Sequence, residues 1–300
     1  MPGARWHRRT LATAAAIGLF AGCGTVRREA PTPRPTTIRL TFAAHTLAAL
    51  PLYAATAVGA FSRRDLAWAP EPGGAALRPP GQWPIHGFVL VRPDWVLVSR
   101  APDPAFRWRD LRDQPVAVAG LDAFARTVLD ALLAEHGVRT VAWEPLEPDV
   151  AVALFRKDRI PWMLMPLLPA EVLVQRHEAH IIQYVGAATG PLPSAVLTGA
   201  VPSWPPVLAA VNEGLIYIET HPAAEVAARV APDYPGIPLP SLEAAVAEAQ
   251  GLDLFPVSTF PDRPTYEAAA QYLARAGVRW PDYASAVDSR SAMAALAQSP

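Results

Sequence analysis

A chain of 300 residues that is 51% hydrophobic and 18% charged can bury a sizeable core as one large domain or two lobes, which excludes a disordered or fibrous chain. A formal net charge of −1, with Lys157 the only lysine, leaves no cationic field to displace phosphate counterions, so no nucleic-acid partner is expected. A single cysteine excludes an intramolecular disulfide, a CxxC redox pair and any thiolate-rich zinc site.

Met1 to Arg9 carries Arg5, Arg8 and Arg9 with no acidic residue, and Thr10 to Ala21 is uncharged but too short to span a bilayer. That layout predicts a signal peptide over residues 1–22. The run ends in Leu19-Phe20-Ala21-Gly22-Cys23, which resembles a bacterial lipobox, although Phe20 departs from the usual aliphatic residue. The resemblance implies that the Cys23 thiol takes a diacylglyceryl group and becomes the new N-terminus. Residues 23–37 then read as a Pro-rich tether without apolar periodicity, holding a globule off a membrane. The expected location is extracytoplasmic and lipid-anchored.

Ile38 to Ala43 is a strand signal, His45-Thr46 an irregular turn, and Leu50 to Ala60 an Ala-rich helix stopped near Gly59. Pro70 to Pro84 reads as a breaker-rich loop. Ile85 to Val91 and Trp95 to Arg100 are β-rich runs separated by Arg92-Pro93-Asp94, expected as paired strands or one bent strand. Val116 to Ala119 is a strand, followed by a helix framed by Asp122 as cap and Gly137 as stop. The alternation continues with strands at 140–143, 162–165 and 181–185 and helices at 149–158 and 170–178. It predicts an α/β fold with helices on the sheet faces. From Pro205 the pattern turns helical, with Leu208, Val211, Leu215 and Ile218 on one face. Residues 241–250 and 265–276 are similar.

No phosphate-cradling glycine loop, GxSxG elbow or SxxK sequence is present. His177 and His180 stand three apart, whereas a zinc helix needs four, and they read as a surface pair. No catalytic residue, metal or cofactor is assigned. Trp162, with Trp108, Trp143 and Trp204, is a candidate for lining a cavity. The stronger candidates are two loops that follow strands, because α/β sheets place ligands at the carboxyl ends of strands. One holds His45 and Thr46. The other is the helix start at Asp122, Ala123 and Phe124, where the Asp122 carboxylate occupies the free N–H groups and disfavours a strongly anionic ligand.

Pro51-Leu52-Tyr53-Ala54-Ala55 with Gly59-Ala60-Phe61 is similar to the P-x-Y-x-A…G-x-F opening of periplasmic substrate-binding proteins of ABC importers, in the class serving nitrate, sulfonates, taurine and thiamine-pyrimidine precursors. Leu97-Val98-Ser99-Arg100, residues 106–111, Gly137-Val138, Tyr184-Val185-Gly186, residues 190–193 and His221-Pro222-Ala223-Ala224 ahead of Ala231-Pro232 resemble the same class in the same order. The resemblance implies a type II two-lobed fold with a central cleft and a helix-rich C-terminal part. Lobe 1 is expected at 38–110 and 200–300, and lobe 2 at 111–199. It also implies a monomer that delivers a small-molecule solute to a membrane permease, with Tyr53 at the ligand. Between Gly73-Gly74 and Gln82-Trp83-Pro84 a first-lobe segment of the class reads as deleted.

The expected function is capture, without turnover, of a small organic solute, neutral or cationic, such as a heterocycle stacked on Phe124. Two alternatives stand beside it: a degenerate member acting as a sensor or accessory protein, and an enzyme on the same fold. Chorismate-dehydratase-like proteins and a pyrimidine synthase are enzymes of that kind. Both are cytosolic and the synthase needs a cysteine-rich motif, which an export signal and one cysteine do not match.

Overall fold

The computed structural model describes residues 35–70, 75–81, 84–138 and 141–299. The signal peptide, Cys23 and the tether up to residue 34 lie outside the described residues, as do Gly73-Gly74, Gln82-Trp83 and Thr140.

In β1 (Thr36–Thr41) Ile38 and Leu40 are buried and their neighbours exposed, the two-residue period of a strand with one covered face. α1 (Leu50–Ala57) carries Pro51 in its first turn and is followed by Gly59, whose φ of +75° glycine adopts without strain. β2 (Leu66–Ala69) returns parallel to β1 and completes a βαβ unit. β3 (Ala75–Arg78) lies parallel on the other side of β1. Only residues 70–74 separate β2 from β3, too few for the helix that a parallel crossover ordinarily carries. β10 (Ala195–Gly199) sits antiparallel between β3 and β4 (Ile85–Leu90), giving the order β2-β1-β3-β10-β4.

The second sheet has the order β7-β6-β8-β5-β9. β6 (Pro115–Ala119), β7 (Ala142–Leu146) and β8 (Trp162–Pro166) are parallel; β5 (Trp95–Ser99) runs antiparallel to β8, and β9 (His180–Tyr184) antiparallel to β5. α2 (Ala123–Glu135), α3 (Pro148–Arg156) and α4 (Leu167–Gln175) follow β6, β7 and β8. In both sheets the fourth strand in spatial order is the one that opposes the rest, and it is the strand that has just arrived from the other sheet.

Two crossings therefore join the lobes: residues 91–94, and α5 (Val185–Thr189) with residues 190–194. They are tied together, since Leu192 N–H donates to Val91 O at 2.7 Å and Ser194 Oγ–H to Arg92 O at 3.0 Å. A Cβ on Gly186 would fall inside contact distance of Pro93 O, so only glycine permits this approach.

The C-terminal helices are α6 (Trp204–Thr220), α7 (Ala223–Val230), α8 (Leu239–Gly251), α9 (Arg263–Arg275), α10 (Tyr283–Ala286) and α11 (Ser289–Leu296). α6 packs on α1 and α11, α7 on α1 and α8, α8 also on α4, and α9 on α2, so the tail braces both sheets. Leu208, Val211, Leu215 and Ile218 of α6 are all buried, as their spacing predicts.

Three expectations change. The runs 85–91 and 95–100 are not paired; Arg92-Pro93-Asp94 separates two strands that enter different sheets. The lobe boundary consequently falls at 91–94 and 185–194 by sheet membership, not at 110/111 and 199/200, because β5 hydrogen-bonds to β8 and β9 while β10 hydrogen-bonds to β3 and β4. The breaker-rich loop contains β3, whose residues Ala75, Ala76 and Leu77 are buried in mid-sheet. Four residues flanked by glycine and proline carry no periodicity long enough to announce such a strand.

Candidate functional site

Both sheets turn the carboxyl ends of their parallel strands toward one cavity of about 280 Å³. From the first sheet come Phe42, Ala43 and Thr46 after β1, Leu77 and Arg78 ending β3, and Leu90 ending β4. From the second come Gly120 and Asp122 after β6 and Pro166 ending β8. Asp94 and Trp95 on one crossing and Ser194 and Ala195 on the other close it.

The strand ends hold these residues in place. Thr46 Oγ1 donates to Ala43 O at 2.9 Å, and the buried Tyr234 donates its hydroxyl to Thr46 O at 2.9 Å, so the loop after β1 is fixed from two sides. Gly120, at φ +67°, makes the turn into α2. Asp122 Oδ1 accepts the Ala125 N–H at 2.9 Å as the predicted cap, but the side chain is exposed. The enclosed carboxyl is that of Asp94 instead. Protein surrounds it and its remaining surface faces the cavity; burial pushes its pKa up to about 6, opposed by its own backbone N–H. Beyond the backbone pairing of Arg78 with Val196, its guanidinium has no ion-pair or hydrogen-bond partner among the described residues. The cavity lining thus includes a guanidinium and a desolvated carboxyl, neither neutralised by the other, together with Phe42 and Trp95.

A second chamber of about 480 Å³ shares Thr46, Gly120 and Pro166 with the first. Its lining combines apolar side chains, among them Val152, Met165, Leu168 and Ile237, with His45, Asp149, Arg156 and Arg176. Together the two form one interlobe cleft.

Of the residues expected at a ligand, Thr46 and Asp122 line the first chamber, and His45 with Thr46 the second. His45 is exposed, adopts φ +61° and places Nδ1 2.9 Å from Asp233 O. Phe124 stands behind Trp95, ring centroids 6.2 Å apart, and lines a different recess with Trp280. Ala123 is exposed on the first turn of α2 and lines neither chamber. Tyr53 is buried behind Phe42, packed on Trp68 and Tyr234 at 5.6 and 5.2 Å, so it shapes the wall without reaching the cavity. Trp162 opens β8 at the end away from the cleft and packs on Phe106. Sequence reasoning missed Arg78, Asp94 and Trp95. Arg78 lies in a segment with no strand signal, and Asp94 in a short spacer whose only local meaning is a turn.

With a cap that Asn supplies as well as Asp, Asp122→Asn is expected to change unfolding stability by less than about 0.5 kcal/mol in a denaturant titration. A larger loss would mean that the carboxylate charge itself holds the start of α2.

Among the described residues no helix is long and apolar enough to cross a membrane. Neither a family model nor a curated protein sequence matches the chain. Solved structures do. The alkanesulfonate-binding protein SsuA from Xanthomonas axonopodis pv. citri, bound to MOPS, is 16% identical and aligns over 81% of this chain and 94% of its own, with a TM-score of 0.60. The ligand-binding component of an ABC-type import system from Staphylococcus aureus, with zinc bound, is 8% identical over 86% and 98%, with a TM-score of 0.65. The desulfurization enzyme DszB is 13% identical over 88% and 99%, with a TM-score of 0.57, so this architecture hosts both binding and catalysis. The chain has the two-lobed α/β fold of the periplasmic substrate-binding proteins.

Proposed function

We propose that the chain is the extracytoplasmic solute-binding component of an ABC importer, acting as a monomer that captures a small organic solute between its lobes and presents it to a permease. The observation that carries this reading is the cavity at the convergent strand ends, walled by both sheets and both crossings. Solute bound there touches both lobes at once, so it stabilises the closed arrangement over the open one and shifts the population about the crossings. Dispersion against Phe42 and Trp95 and hydrogen bonds to Arg78, Asp94 and Thr46 suffice for that; no reacting group is needed.

In the first chamber, where the solute is placed, two carboxyls against one guanidinium make the lining neutral or singly negative, according to the protonation of Asp94. The solute is therefore neutral or cationic overall, with a donor for Asp94 and an acceptor for Arg78. Calorimetric titration with a panel of neutral heterocycles, amines, alkylsulfonates and nitrate tests this, beside native mass spectrometry for a co-purifying molecule. Binding among the first two groups is expected. Tight binding of nitrate or a simple alkylsulfonate would overturn the charge argument, and a ligand recovered chemically altered would favour an enzyme.

The lipid anchor rests on the sequence alone. Cys23→Ala is expected to move the protein from the membrane to the soluble fraction, because each buried lipid CH₂ supplies about 0.8 kcal/mol and the tether has no apolar face. Unchanged fractionation would remove the lipoprotein reading.

A further inference from the structure

Away from the cleft, α4 and β9 of the second sheet meet α8, and an open groove of about 660 Å³ lies between them. Among the described residues its lining carries the carboxyls of Glu171, Glu248 and Asp103, the rings of His180 and Tyr184, and neither lysine nor arginine. Glu171 is only 5% exposed and has no hydrogen-bond or ion-pair partner among the described residues; the charge it faces is that of Glu248. This is unlike Glu213, which Arg63 and Arg64 neutralise. The Tyr184 ring lines the groove with the two carboxyls, and half-buried Asp103 accepts the Ala105 N–H at 3.1 Å. An enclosed acid facing another acid, at the wall of a groove without a cation, is stable when a cation enters or when one acid is protonated.

We propose that this groove binds an organic polyammonium ion, one ammonium seated between Glu171 and Glu248 against the Tyr184 ring and a second reaching Asp103. Charge-assisted hydrogen bonds and a cation–π contact supply the recognition. Among the described residues no three His, Cys, Asp or Glu groups converge closely enough to hold a metal ion, which favours an elongated cation over a point charge. Glu171 stands on the second lobe, while Glu248 stands on α8, which packs through α7 onto α1 of the first. The cation thus bridges the lobes at a place separate from the solute cleft.

Without a cation, burial and the Glu248 charge push the Glu171 pKa up to about 7, so near pH 7 about half of the molecules hold a proton there. The groups facing it are Glu248 from α8, Tyr184 and His180 from β9, and Asp103 from the loop after β5. Occupation accordingly releases a proton. Spermidine is the probe, titrated calorimetrically into the purified protein near pH 7 in phosphate and in Tris. Binding is expected, with an observed heat that differs between the buffers by the proton released. Glu171→Gln is expected to weaken binding by on the order of tenfold or more and to remove the buffer difference, and Glu248→Gln to weaken it similarly. Glu267→Gln, at an exposed carboxylate of α9 outside both the groove and the cleft, is expected to leave it unchanged. Magnesium chloride at equal ionic strength is expected to give neither heat nor a rise in Tm. Absence of binding at millimolar spermidine, binding by both glutamine variants as tight as by the unaltered protein, or an equal response to magnesium would each overturn the proposal. Should Glu171→Gln fail to fold, Glu248→Gln and the buffer comparison on the unaltered protein decide it alone.

Discussion

Asp94→Asn is expected to stabilise the free protein at neutral pH and at the same time to abolish solute binding. The native carboxyl has its pKa raised from 3.8 to about 6 by burial. Below about pH 4 the carboxyl is protonated both folded and unfolded, and contributes no penalty. Between about 4 and 6 the unfolded chain releases the proton while the native state keeps it, so stability falls as pH rises, and the penalty is complete above about 6. Two units correspond to about 3 kcal/mol, an upper bound because the group touches cavity water. Urea unfolding should therefore show variant and native chain equal near pH 4 and the variant ahead by about 2 kcal/mol at pH 7.5. Calorimetry should show binding lost, since Asn offers one acceptor and no charge where the carboxylate offers two. Parallel pH profiles would show that Asp94 is solvated; retained affinity would place the solute elsewhere. Such a site keeps a destabilising group because the group works only when the ligand arrives.

Gly214→Ala is expected to cost about 3 kcal/mol or more, against the direction of helix propensity. Gly214 lies in α6 where that helix crosses α1, and a Cβ there would press into Pro51 O and stand 2.9 Å from Ala55 N. Both obstacles are backbone, so the helices must separate, and the lost packing exceeds the roughly 1 kcal/mol that alanine gains over glycine in a helix. Separation displaces α1 and with it the Thr46 loop, so solute affinity should fall too. The matched control is Gly251→Ala at the end of α8, where a Cβ meets nothing within 4 Å and a small gain in stability is expected. Equal thermal midpoints for the two variants would show that α1 and α6 are loosely packed.

Elements whose signals are local are legible in the sequence. Asp122 and Gly137 bracket α2, Gly59 follows α1, and the apolar stripe of α6 points inward, because caps, left-handed turns and a 3.6-residue period are properties of a few neighbouring residues. The βα alternation also locates the two loops, after β1 and after β6, that supply Thr46 and Asp122 to the cavity wall. How the strands are shared between the sheets depends on long-range pairing. β4 and β5 are four residues apart and both almost wholly apolar, yet each pairs with strands distant in sequence, β4 with β10 and β5 with β8 and β9. A short apolar strand has the same pattern whichever neighbour it chooses; hydrogen-bond partners are settled by the closure of the whole sheet. That choice turns Arg92-Pro93-Asp94 from a spacer into a crossing, places Asp94 in the cleft, and draws β3 with Arg78 out of an apparent loop, while it leaves Tyr53 and Trp162 behind the walls. Arg78 and Asp94 belong to the part of the fold that long-range pairing builds, and no window of neighbouring residues contains that pairing.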